Sequence, residues 1–87
     1  MKILKFSAPW CDQCKMFSPI FEEVTKDLSL DVEEINTDDG ANVPLVEKYN
    51  IEFLPVLIGL DGANNILFRV DGVKTKEYVK ETICRYL

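Results

Sequence analysis

The chain has 87 residues, so a single domain spanning 1–87 is expected. A hydrophobic fraction of 47% beside 29% charged residues excludes intrinsic disorder, and a chain this short buries only about 60–65% of its unfolded surface, so modest stability is expected. Fifteen acidic against ten basic residues give a net charge of −5, which argues against nucleic acid or an anionic membrane as partner.

Lys2 to Phe6 is short and β-prone, and Ser7-Ala8-Pro9-Trp10 breaks it. A helix is expected from Cys11 or Asp12, with Phe17, Ile20, Phe21, Val24 and Leu28 on one face and Glu22, Glu23, Lys26 and Asp27 on the other. Pro19 inside this pattern predicts a kink. Leu30 to Ile35 reads as a second strand, and Asn36 to Gly40 as a loop. Val43, Val46 and Tyr49 mark a short helix, with Asn42 as its cap and Pro44 in its first turn. Val56 to Leu60 is almost continuously apolar, the pattern of a strand covered on both faces. A turn over Asp61–Asn65 and a strand from Ile66 to Val70 complete a hairpin. After Gly72, Thr75 can cap a last helix that turns Val79, Ile83 and Tyr86 inward. The order β-α-β-α-β-β-α predicts an α/β fold with a four-stranded mixed sheet. Its first βαβ unit is parallel with a right-handed crossover.

Three cysteines and no histidine narrow the chemistry. A disulfide-stapled secreted domain usually has an even count of four or more, and a structural zinc site wants four ligands. One close pair, Cys11 and Cys14, with Cys84 far away, fits redox chemistry, so no metal is expected. Cys11-Asp12-Gln13-Cys14 follows a strand and opens a helix. Two cysteines three apart in one turn can bring their sulfurs within bonding distance. The first turn leaves backbone N–H groups unpaired, and its dipole favours negative charge. The Cys11 sulfur is therefore expected as a thiolate, below the free value of about 8.5, and the thiolate is the attacking species in disulfide exchange. Cys11, nearer the helix end and the surface, is the expected nucleophile, and Cys14 the resolving thiol. No signal-peptide core precedes the first strand and no stretch approaches a membrane span, so a cytoplasmic protein is expected.

Ala8-Pro9-Trp10-Cys11-x-x-Cys14-Lys15-Met16-x-x-Pro19-Ile20 resembles the active-site segment of thioredoxins. Glu34-Ile35-Asn36-Thr37-Asp38, Tyr49 to Val56, and Val70-Asp71-Gly72 resemble three later segments of that family. The likeness runs nearly end to end, without the first strand and helix of the full-length form. It implies a minimal thioredoxin fold and a thiol–disulfide oxidoreductase. Its redox group would be the Cys11–Cys14 disulfide, with no other cofactor. The implied partners are protein disulfides and a thioredoxin-reductase-like electron donor, and a monomer is expected. It also implies that Pro55 is a cis proline packed against the cysteine pair, leaving the Leu54 backbone free to pair with an extended substrate. Trp10, Leu54, Pro55, Asp71 and Gly72 would line the substrate groove. The plainer readings are a core Trp10, a strand-start Pro55 and a turn glycine at 72.

Two departures from the family stand out. Asp12 and Gln13 replace the usual Gly-Pro, and Asp12 places negative charge beside Cys11 while the helix terminus acts the other way. In thioredoxins a buried Asp six residues before the first cysteine serves the resolving thiol as proton acceptor; here that position holds Lys5. An ammonium there could favour the Cys14 thiolate, but the favoured expectation is a side chain that snorkels to solvent. Cys84 is expected as a small packing residue. A glutathione-dependent glutaredoxin-like reductase ranks lower, because that family carries Thr-Val before its cis proline and a later Gly-Gly. A redox-idle thioredoxin-fold binding subunit is the reading from a different class. A metal site shared between molecules is the remaining one.

Overall fold

The computed structural model describes residues 1–87. Its elements are β1 (Lys2–Ser7), α1 (Asp12–Thr25), β2 (Asp31–Asn36), α2 (Val43–Lys48), β3 (Val56–Leu60), β4 (Ile66–Asp71) and α3 (Lys76–Cys84). The sheet order is β2-β1-β3-β4. β1 and β2 are parallel, and the pairs β1–β3 and β3–β4 are antiparallel, as the predicted order requires.

Side chains alternate across a strand, so each face of the sheet needs its own cover. Ile3, Leu57, Phe68 and Val70 face the layer of α1 and α3, where Phe17, Phe21, Val24, Val79 and Ile83 meet them. Leu4, Phe6, Val56, Ile58 and Leu60 face the other side, against Tyr49 with Leu45 and Ile51 beside it. Every residue of β3 is buried, which is why its sequence shows no alternation. Gly59 permits one close approach: a Cβ there would lie 2.6 Å from Cδ2 and Cζ of Phe68.

Several local expectations shift. β2 is an edge strand, runs one residue later than expected and buries only Ile35. Part of the expected loop is a 3₁₀ turn, Gly40–Asn42, capped by the Asp39 side chain. Asn42 gives α2 no side-chain cap; its amide instead donates to the Asn36 carbonyl at 2.9 Å. α2 buries none of its own residues, and Val43 is exposed, so the buried contact on this side passes to Tyr49, just beyond the helix. α1 runs unbroken through Pro19. Thr75 caps α3 as expected, its hydroxyl accepting from the Tyr78 amide at 3.1 Å. Tyr86 is 40% exposed rather than turned inward, although its ring stacks on Phe68 at 5.8 Å. Cys84 is also exposed and so is not a packing residue, because it follows the buried Ile83 and faces away from the sheet side of α3.

Candidate active site

The β1–α1 connection carries the cysteine pair. Cys11 is the N-cap of α1, with extended backbone angles (φ −84°, ψ 104°). In place of the usual hydroxyl or carboxylate, its Sγ accepts the Cys14 amide N–H at 3.1 Å. Cys11 and Cys14 are disulfide-bonded, with Cα atoms 5.2 Å apart. A sulfur in this position faces the first turn of the helix, where the Cys14 amide is its hydrogen-bond donor.

Both cysteines are buried, packed with Ala8 and Leu54. The expected contrast of an outer Cys11 and an inner Cys14 is therefore one of direction rather than depth. Cys11 borders a depression of about 340 Å³ with Trp10, Asp12, Glu52, Phe53 and Leu54. Cys14 borders a separate pocket of about 310 Å³ on the side of β2, with Ser18, Glu34 and Asn36 among its walls.

Trp10 is 66% exposed, which removes the reading as a core residue. Its indole N–H donates to Asp38 Oδ1 at 2.9 Å, so the loop after β2 fixes the ring. Sequence reasoning missed Asp38 as a partner, since nothing local marks a contact across 28 positions. The Leu54–Pro55 bond is cis, as the resemblance implies, and Pro55 is fully buried. The Pro55 carbonyl accepts the Gly72 amide at 2.8 Å. Gly72 is half-buried with φ +84°, a left-handed turn conformation that suits glycine, although nothing crowds its Cβ side. The Leu54 backbone is paired with no other backbone group, which leaves it available beside the cysteines.

Asp71 ends β4 and takes a two-pronged ion pair from Arg69, with Nε to Oδ1 at 2.7 Å and Nη2 to Oδ2 at 3.1 Å. That hydrogen bonding holds the guanidinium above its ordinary range. Arg69 also donates to the Tyr49 and Asn50 carbonyls, where Asn50 takes a left-handed conformation (φ 52°). This one side chain ties β4 to the end of α2, and sequence reasoning gave it no role.

Lys5 overturns the snorkelling expectation. It lies beneath α1, and its side chain is 3% exposed. Its ammonium donates to Ser18 Oγ at 2.7 Å and Glu34 Oε1 at 2.9 Å, and sits 5.5 Å from the centroid of Phe21. Ser18 in turn donates to the Cys14 carbonyl at 3.0 Å. A buried cation is thus linked by one hydroxyl to the backbone of the second cysteine, and its counter-charge, Glu34, borders the Cys14 pocket. Asp12 and Gln13 are exposed at the start of α1. No cluster of three or more His, Cys, Asp or Glu side chains is placed to hold a metal ion.

A family model for thioredoxin matches residues 1–85. The chain is 30% identical over 82 residues to a thioredoxin of Bacillus subtilis, covering 94% of this chain and 78% of that one. It is 32% identical over 87 residues to a thioredoxin of Pyropia yezoensis, covering 98% and 78%. Among solved structures, the thioredoxin-2 of a malaria parasite superposes with a TM-score of 0.85 at 23% identity, covering 98% of this chain and 82% of the other.

Proposed function

The chain belongs to the thioredoxin family and is a thiol–disulfide oxidoreductase, and from that premise we propose that Cys11 is its nucleophile and Cys14 its resolving thiol. The observation carrying this assignment is the Cys11 Sγ at the N-cap of α1, accepting the Cys14 amide. The same amide can stabilise the reduced sulfur as an anion, while Cys14 lies inside the helix with its own N–H turned to Cys11. In the first step the Cys11 thiolate attacks a substrate disulfide. One S–S bond forms, another breaks, and one substrate sulfur leaves as thiolate. In the second, Cys14 gives up its proton and attacks the Cys11 sulfur of the mixed disulfide. The other substrate sulfur leaves, and two electrons have passed from the dithiol to the substrate. A reductase then restores the dithiol.

The proposed groove residues are those that the family resemblance implies. Trp10 offers an exposed ring beside Cys11, and the unpaired Leu54 backbone can add to an extended substrate segment. Pro55 and Gly72, joined by a backbone hydrogen bond, complete the proposed groove with Asp71. Lys5 assists the second step, since its ammonium polarises Ser18 and draws negative charge toward Cys14. Asp12 and Gln13 tune the balance between dithiol and disulfide. The protein acts as a cytoplasmic monomer that uses no cofactor beyond its own disulfide, and its electron donor is of the flavoprotein reductase class. No helix is long and apolar enough to cross a membrane.

Insulin-disulfide reduction tests the roles. Cys11→Ser should abolish turnover. Cys14→Ser should block release and accumulate a mixed disulfide at Cys11, visible by mass spectrometry. Trapping on Cys14 in the Cys11→Ser protein would reverse the assignment.

A further inference from the structure

The face around Cys11 is both apolar and acidic. Trp10 and Phe53 are 66% and 58% exposed. Large aromatic groups held at a surface in this way are typical of a contact that a partner covers. Beside the depression at Cys11 lies a second, of about 140 Å³, that runs from Trp10 to Val46 and Ile51. It suits one aliphatic side chain. The two share Trp10, Glu52, Phe53 and Leu54.

The charges on these walls have one sign. Asp12 and Glu52 are the charged residues at the depression beside Cys11, and Glu52 alone is charged at the second. Of the neighbouring cations, Arg69 is already bonded to Asp71, Tyr49 and Asn50. Lys15 lines the opposite pocket, with Cys14. Lys74 sits 5.8 Å from the centroid of Tyr78. Glu52 therefore stands exposed at the junction of both depressions in no hydrogen-bonded ion pair, with the Arg69 guanidinium acting on it only through space while bonded to Asp71.

We propose that this face selects disulfide substrates whose cysteine is flanked by a large aliphatic residue and by Arg or Lys. The aliphatic side chain fills the depression between Trp10 and Ile51. The cation lies against Glu52 and Asp12, over the exposed face of Trp10 or Phe53, where ring and carboxylates attract it together. The proposal rests on the oxidoreductase reading and names its substrate class. Two exposed carboxylates near one cation contribute together about tenfold in encounter and affinity at low salt, and most of that is lost when the Debye length falls to a few ångströms.

The test uses three disulfide-linked peptide pairs of equal length, with the cysteine flanked by Leu and by Arg, Gln or Glu. Values of kcat/KM are measured for the wild-type protein and for Glu52→Gln and Glu52→Lys. Salt is set at about 0.02 M and about 0.5 M, where screening differs most. The Arg peptide should exceed the Gln peptide about tenfold at low salt, with the Glu peptide slowest, and the spread should shrink to about twofold at high salt. Glu52→Gln should narrow the low-salt spread, and Glu52→Lys, whose new charge Asp12 offsets, should abolish it. Equal rates for the three peptides, or an unchanged spread in Glu52→Lys, overturn the proposal alone. Failure to turn over any of the peptides removes the oxidoreductase reading beneath it.

Discussion

Exchanging the two members of the Lys5–Glu34 pair should have unequal effects on stability, because the pair straddles the protein boundary. The Lys5 side chain is 3% exposed and that of Glu34 67%. Removing one partner of a fully buried pair costs about 3–5 kcal/mol, whereas a fully exposed pair contributes at most about 1 kcal/mol. Glu34→Gln keeps an acceptor in place but takes away the counter-charge. The ammonium then retains Ser18 and the Phe21 ring, and the expected loss lies between those limits, at about 1–2 kcal/mol. Lys5→Met removes the charge itself and lays an unbranched apolar chain against Phe21. It should leave stability within about 1 kcal/mol of the wild type, or raise it. With a urea m-value of about 1 kcal/mol/M for a chain of this size, the Glu34→Gln midpoint falls by about 1–2 M and the Lys5→Met midpoint moves by less. Circular dichroism through a urea titration reads both. If Lys5→Met proves the less stable of the two, the ammonium is a net support of the fold and the reasoning fails. The same variants bear on chemistry. If Lys5 assists the second step, Lys5→Met should lengthen the life of the mixed disulfide while the first attack by Cys11 keeps its rate.

Gly59→Ala should drive a methyl group into the Phe68 ring, which is held by its stack on Tyr86. A loss of about 2–3 kcal/mol is expected, or roughly 10–20 °C in Tm. Phe68→Leu in the same chain should recover part of it, and a full-height Tm in the single variant would refute the overlap. Thr75→Ala removes the cap of α3 and should cost about 1 kcal/mol by urea titration. Asp61 accepts the backbone amides of Asn65 and Ala63, which hold its carboxyl below the usual carboxylate range. A folded value below the unfolded one gives stability that is full above the unfolded value, about 3.9, and is lost as pH falls through the folded value. The stability difference between wild type and Asp61→Asn should therefore narrow below about pH 4; a constant gap would sink the assignment. Alkylation of the reduced protein should show Cys11 reacting as a thiolate well below the free-cysteine value of about 8.5. Titration of both Cys11 and Cys14 near that value would remove the N-cap argument.

The parts of the fold legible in the sequence are those written in local pattern. The apolar steps from Phe17 to Val24 fixed the buried face of α1, and the unbroken run of β3 announced a strand with two covered faces. The cysteine pair was legible because its function depends on two local facts, a spacing of three and a helix start. α2 was harder to read, because it buries none of its own residues and gains support through Tyr49 and the Arg69 clamp from a distant strand. Val43 therefore matched the helical period without meeting a core. Asn42 fitted a capping rule, yet a carbonyl six residues back competed for its amide.

Lys5 shows where local reasoning misleads even when the pattern is in view. Strand parity places it on the same face as Ile3, under α1, so its head cannot reach water along the sheet. Snorkelling demands a free path, and the crossover helix closes it. What makes the burial tolerable is a residue 29 positions away: the parallel register sets Lys5 directly opposite Glu34. That register is fixed by the α1 crossover, and no window of sequence around either residue contains it. The same crossover places Cys14 one hydroxyl away from the ammonium, through Ser18. The ion pair and the cysteine pair are therefore consequences of a single packing decision, the seating of α1 on β1, and a change that shifts that helix should disturb both together.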